Sequence, residues 1–369
     1  MTRQGAELID LSNRTVLPGL IDAHVHLSVS REGNPYARRM TNTLFDTAYQ
    51  TLPGYQAMLR AGFTTVRNVG DNTQVILALQ RAVKKGLVEG PRMFVSGMPI
   101  RPTGGHYDSR NGIDPQLEHP SWDDEVADGA DQVALRVRTL HREGVNLIKI
   151  QPSGGVTSDH DDPQQTLMTD EEISAAISTA HALGMKVAAH GHGTDAIERA
   201  ARLGVDSIEH GTYIDDAGIA VMREKGTYLV PTLLVADQFL RRVREKPETV
   251  TPSVAAKVQQ VAPLTNESAA RAYKAGVKLA FGTDTSDGDN AKQFALLVAV
   301  GISPSDAILA ATRNAADLLG RSQDVGTIQR GRYADIIAVP GDPLADISVM
   351  EEVDFVMKAG TVIVSTGVR

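Results

Sequence analysis

Two histidines stand two positions apart near the start of the chain, in the stretch GLIDAHVHL from Gly19 to Leu27. Pro18 and Gly19 set the stretch off and apolar residues bound it, so a strand is expected, and alternate residues of a strand share a face. His24 and His26 could therefore reach one metal ion together, although a buried pair of this kind can equally be two hydrogen-bonded core residues. Other short apolar runs carry a metal-ligand type as well: His190 in AAHGHG, His210 in IEHG and Asp284 in FGTD. Taken singly, the histidines could be satisfied core residues and Asp284 a helix cap. Lys149, in LIKI, is the most telling. An ammonium on an apolar strand is costly unless it is paired or neutralised, and carboxylation by carbon dioxide would turn it into a carbamate able to bridge two cations.

These residues need elements that bring them together. From Gly19 onward short apolar runs alternate with segments of helical spacing, the rhythm of repeated βα units. Strands are expected at Leu20 to Leu27, Thr64 to Val69, Met93 to Ser96, Asn146 to Gln151, Lys186 to His190, Ser207 to His210, Tyr228 to Thr232 and Lys278 to Thr283. Helices are expected near Leu44 to Ala61, Gln74 to Lys85, Asp128 to Glu143, Asp170 to Leu183, Thr194 to Leu203, Asp215 to Lys225, Val254 to Ala275, and Gln293 to Leu319 with a break at Ser303 and Pro304. A glycine precedes most of the later strands, as a helix C′ residue does. Eight such units suggest an α/β fold, a closed (β/α)8 TIM barrel whose chemistry sits at the C-terminal ends of its strands. Those ends are where the candidate ligands fall.

Composition narrows the field. The 369 residues, 42% hydrophobic, can bury a large core. The 37 basic and 45 acidic residues leave a net charge of −8, which argues against nucleic-acid or anionic-membrane partners. The basic cluster Arg241, Arg242, Arg244 and Lys246 reads as a solvated helix face. With no cysteine, any metal must be held by histidine, carboxylate or a modified side chain. No apolar run approaches a membrane span and the first residues lack a signal-like segment, so a cytoplasmic protein is expected.

The set resembles the amidohydrolase superfamily, in its binuclear subtype with a carboxylated lysine. Within it the sequence is most similar to imidazolonepropionase-related peptidases, the group of prolidases, Xaa-Arg/Lys dipeptidases and ochratoxinase-like amidases. The motifs that carry the resemblance are LPGLIDAHVHL, TGGHYD, ADGADQVALRVRTLHREGVNLIKI, SGGVTSDHDDP, AAHGHG, IEHG, YLVPT, FGTD and the tail GTIQRGRYADIIAVPGDPLADI. The resemblance implies two divalent ions, zinc first, with manganese or cobalt fitting the same ligands. His24, His26 and Asp284 would hold the more buried ion and His190 and His210 the more exposed one, with carboxylated Lys149 and a hydroxide between them. Asp284 would carry the proton from the hydroxide to the leaving amine. His106, His192 and Tyr228 would polarise the scissile carbonyl or hold the substrate's carboxylate, and Gly154 and Gly155 would bring backbone close to the substrate. His119 and His160 read as solvated, and the loops after the third and fourth barrel strands, Trp122 included, would form the pocket's lip.

The implied activity is hydrolysis of an amide, by a dipeptidase or N-acyl amino acid hydrolase acting on small substrates with a free carboxylate. The alternatives are a mononuclear ring hydrolase or deaminase of the imidazolonepropionase type, and a non-catalytic scaffold on the same fold. Against the family pattern, few residues precede the barrel. Residues 1–18 and 326–369 are expected to form an incomplete β-sandwich beside a barrel of residues 19–325, its open edge covered by homo-oligomerisation.

Overall fold

Alternation of strand and helix chemistry is realised as a barrel in the computed structural model, which describes residues 8–28, 41–114, 116–117 and 126–366. The first barrel strands are β2 (Leu20–Val25), β3 (Phe63–Asn68) and β4 (Arg92–Val95), paired in parallel in that order. A second parallel set follows: β5 (Leu147–Ile150), β6 (Lys186–Gly191), β7 (Ser207–His210) and β8 (Tyr228–Val230). Beyond β4 the chain stays extended, and Ile100 pairs in parallel with Ile150 to join the two sets.

The eighth expected strand, Lys278 to Thr283, is extended but irregular. Leu229 N donates to Lys278 O and Ala280 N to Leu229 O, at 2.9 and 3.0 Å. On its other side Ala23 N donates to Phe281 O and Asp284 N to His24 O, each at 2.7 Å. The barrel therefore closes on β2. Regular pairing is broken there because buried side chains take over. The Asp22 carboxylate accepts from Thr283 Oγ1 at 2.7 Å and from Asn290 Nδ2 at 2.8 Å.

The covering helices are α1 (Leu44–Arg60), α2 (Thr73–Lys84), α3 (Ala130–Glu143), α4 (Asp170–Ala182), α5 (Thr194–Arg202) and α6 (Asp216–Lys225). Their ends follow local chemistry. Thr43 and Thr169 form capping boxes with Asp46 and Glu172, and Gly144 and Gly226 take the left-handed C′ conformation. After β8 comes a helix the sequence pattern did not separate, α7 (Leu233–Glu245), and then α8 (Pro252–Lys274). α7 starts without a side-chain cap directly after the strand, so its boundary signal is absent. It carries Arg241, Arg242 and Arg244 of the basic cluster, and Lys246 follows its end. α9 (Lys292–Ala299), α10 (Pro304–Leu309) and α11 (Ala315–Leu318) complete the layer, with a π turn at Ala310–Asn314. No described helix is long and apolar enough to cross a membrane.

β1 (Arg14–Pro18) and the tail strands β9 (Ile336–Pro340), β10 (Phe355–Lys358) and β11 (Thr361–Ser365) form an antiparallel sheet in the order β1-β9-β10-β11. Its inner face belongs to the main core, where Ile337, Val339 and Val356 are fully buried. Of the large apolar residues on its strands, Val16 and Val362 are the exposed ones.

Candidate active site

The barrel gathers the candidate ligands at the C-terminal ends of its strands. His24 ends β2's buried face and His26 follows it; their Nε2 atoms lie 3.3 Å apart. Asp284 Oδ1 is 3.7 Å from His26 Nε2. The rings of His24 and His210 are 5.1 Å apart, and His190 lies 4.8 Å from His210. Two groups of donor atoms come within 4.8 Å of one another: His24, His210 and Asp284, and His190, His192 and His210. Lys149, also buried, lines the same cavity. His210 and Asp284 hold left-handed backbone at φ 72° and 58°, a conformation uncommon outside glycine that gathers at functional sites.

Each histidine is oriented through one ring nitrogen. His24 Nδ1 donates to Glu209 Oε2 at 2.7 Å, His26 Nδ1 to Gly70 O at 2.5 Å and His190 Nε2 to Gly154 O at 3.1 Å. His210 Nδ1 and His192 Nδ1 pair with the hydroxyls of Thr232 and Thr212 at 2.8 and 2.7 Å. The second nitrogen of each ring is left for the centre of the cavity. For His24 and His26 this brings the two Nε2 atoms within 3.3 Å, close enough for both to reach one cation. Burial, reinforced by the positive groups nearby, holds His190 and His210 well below the usual histidine range and His24 at about 4. They are neutral at physiological pH, the form that binds metal. Burial likewise pushes the Lys149 ammonium down to about 8, against the pull of Glu209 and Asp284. The donor set therefore fits divalent metal.

Glu209 and Arg67 were not singled out in the sequence, yet they organise this centre. Arg67 Nη2 donates to Glu209 Oε1 at 2.7 Å and Arg67 Nη1 to Ser207 Oγ at 3.0 Å, all fully enclosed. Burial alone would raise the Glu209 carboxyl, but Arg67 and His24 hold it well below the usual carboxylate range. The signal was available: one charge on each of two short apolar strands, of opposite sign. Gln151, two residues past Lys149, was also missed. It lines the cavity with its buried amide oxygen unpartnered among the described residues.

His106 and His192 come to the site as expected by position. His106 stacks on His190 with ring centres 4.6 Å apart, and its Nδ1 donates to Asp161 at 2.8 Å. His192 stacks on His210 at 4.7 Å and belongs to the second donor group, so it stands among the candidate ligands as well as beside them. Tyr228 is a correction. It starts β8, at the end of the barrel remote from the chemistry, and its hydroxyl donates to Asp317 at 2.6 Å within a cluster that includes Ile21 and Ala315. Gly154 and Gly155 have a packing reason to be glycine: a Cβ on them would lie 2.0 Å from Asp162 O and 1.9 Å from the His106 ring. The residues that line the cavity from that loop are Val156 to His160, with His160 exposed. His119 and Trp122 lie outside the described residues.

Comparison with known proteins agrees with this geometry. Residues 15–363 match the amidohydrolase family. Ochratoxinase of Aspergillus niger is 31% identical, over 96% of this chain and 76% of its own length. The crystal structure of a Xaa-Pro dipeptidase with bound methionine in the active site superposes with a TM-score of 0.91 at 38% identity, covering 96% of this chain and 88% of that one. A prolidase complexed with N-methylphosphonate-L-proline gives 0.91 at 34% identity, over 99% and 91%. The chain belongs to the amidohydrolase family, enzymes that hydrolyse C–N bonds.

Proposed function

We propose that the chain hydrolyses the amide bond of a small substrate with a free carboxylate, as a dipeptidase or N-acyl amino acid hydrolase. The observation that carries this is the array of histidines, each anchored through one nitrogen and offering the other to a common centre beside Lys149 and Asp284. Two divalent ions, zinc by preference, would be held by His24, His26 and Asp284 on one side and by His190 and His210 on the other, with carboxylated Lys149 between. When bound, such ions supply Lewis-acid polarisation of a carbonyl and of water.

The chain's own groups do the remaining work. Asp284 accepts the proton of the attacking water and returns it to the leaving nitrogen. His106, fixed by Asp161, and His192, fixed by Thr212, border the place where the substrate carbonyl would sit. A low Lys149 pKa leaves a share of free amine, the form whose lone pair attacks carbon dioxide, losing a proton to give the carbamate. The relatives named as ochratoxinase, Xaa-Pro dipeptidase and prolidase support the substrate class. We also expect a cytoplasmic homo-oligomer. The test is the substitution Lys149→Met: turnover of a dipeptide and N-acyl amino acid panel should fall at least a thousandfold and metal content should drop, whereas unchanged turnover rejects the bridge.

A further inference from the structure

α8 runs along one wall of the cavity, and near its start it carries a cation that is almost enclosed. The Lys257 side chain is only 13% exposed. A lysine held out of water is costly unless polar groups meet its charge. Here its three donor positions match three acceptors: Nζ donates to Gly155 O at 3.1 Å, to Asp161 O at 2.8 Å and to Ser158 O. The Asp161 carboxylate stands 3.7 Å away. All three carbonyls belong to the loop after β5, which therefore folds around an ammonium supplied by another element. Charge-assisted bonds of this kind are about twice as strong as neutral ones. An arginine does not replace it, because a planar guanidinium cannot send three donors to three converging carbonyls.

The same three residues set the carboxylate behind His106. Asp161 Oδ2 accepts from His106 Nδ1 at 2.8 Å and from Gly155 N at 3.0 Å, and Ser158 Oγ donates to Oδ1. Gly155 also packs against the His106 ring, which lines the cavity and stacks on His190. Lys257 thus gathers by their carbonyls the residues that fix this imidazole by their other groups. Val254 and Val258 of α8 touch the loop as well, against Val156. That contact is apolar and non-directional, so it holds the loop down without orienting a carboxylate. Orientation comes from Lys257. Without its ammonium the three carbonyls converge on no donor, and the loop must open to let water reach them.

We infer that Lys257 is a positioning residue: it sets the loop of Gly155, Ser158 and Asp161, and through Asp161 the imidazole of His106. This rests on the proposed amide hydrolysis, in which His106 borders the substrate carbonyl. The test is a double-substitution cycle on the metal-loaded protein, with a dipeptide or N-acyl amino acid that the wild type cleaves. Lys257→Met keeps the aliphatic stem and should lower kcat/KM at least tenfold, with metal content and melting temperature kept. In a His106→Asn background the same substitution should change kcat/KM less than about twofold, since the group it acts through is gone. Wild-type kcat/KM in Lys257→Met, or an equal loss in both backgrounds, would overturn the inference; a merely structural lysine gives the equal loss. Should Lys257→Met unfold or lose metal, Lys257→Arg decides by the same two criteria, because it keeps the charge without the three-way geometry. Should the wild type cleave no amide, the hydrolytic reading fails, and NMR of the histidine rings in the zinc-loaded protein decides instead. The His106 signals, assigned by their loss in His106→Asn, should move in the Lys257 variant, and unmoved signals overturn the inference.

Discussion

Glu209 shows how much of the candidate site depends on residues set behind the histidines that line the cavity. Its carboxylate joins His24 to Arg67 inside the barrel, with Ser207 donating to it at 2.5 Å. An ionised carboxylate behind a liganding histidine fixes the ring and raises its basicity. Glu209→Gln should therefore weaken metal binding about 10- to 100-fold in a chelator competition, and an unchanged affinity would remove the positioning role. Arg67→Met leaves the carboxylate buried without its counter-charge and should cost about 3–5 kcal/mol in denaturant unfolding. The double substitution should recover stability and not metal affinity. At this scale the sequence was readable where a residue type is rare in its setting, as with Lys149 in an apolar strand. It was unreadable for Tyr228, because an aromatic at a strand start looks the same whether it faces chemistry or, as here, Asp317.

Among the elements, the loop after β5 is tied together through Asp161 and Lys257. Asp161 is buried within it, accepting from His106 Nδ1 and from Gly155 N at 3.0 Å, and it also takes a bond from Ser158. Gly155 lies so close that any side chain must displace His106. Gly155→Ala is expected to lower kcat/KM at least tenfold while shifting the melting temperature by only a few degrees. A variant with wild-type kcat/KM would mean that His106 does not contact substrate. The barrel strands and most helices were legible because periodicity and caps agree, as at Thr169 with Glu172. α7 was not, since neither a cap nor a turn marks its start, and the last barrel segment lost regular pairing to the Asp22 network. Such tertiary contacts leave no periodic trace.

For the whole molecule, the question is whether the small sheet stands apart from the barrel. Ile337, Val339 and Val356 pack into the main core, and Arg92 of β4 pairs with Asp335 at 2.6 Å. The two should therefore unfold together, in a single calorimetric transition, and two resolved transitions would contradict this. The sheet's edges are β1 and β11, neither paired with a further strand among the described residues. Unpaired edges invite a second copy, so light scattering should report a mass above that of one 39.5 kDa chain. A monodisperse monomer would reject the expected oligomer.

The most direct test of the central claim is the metal content of the active protein, measured per chain together with amide hydrolysis, with and without added bicarbonate. Two ions per chain and cleavage supported by bicarbonate are the predicted result. Full amide turnover with one ion or none, indifferent to bicarbonate, would contradict a centre bridged through Lys149.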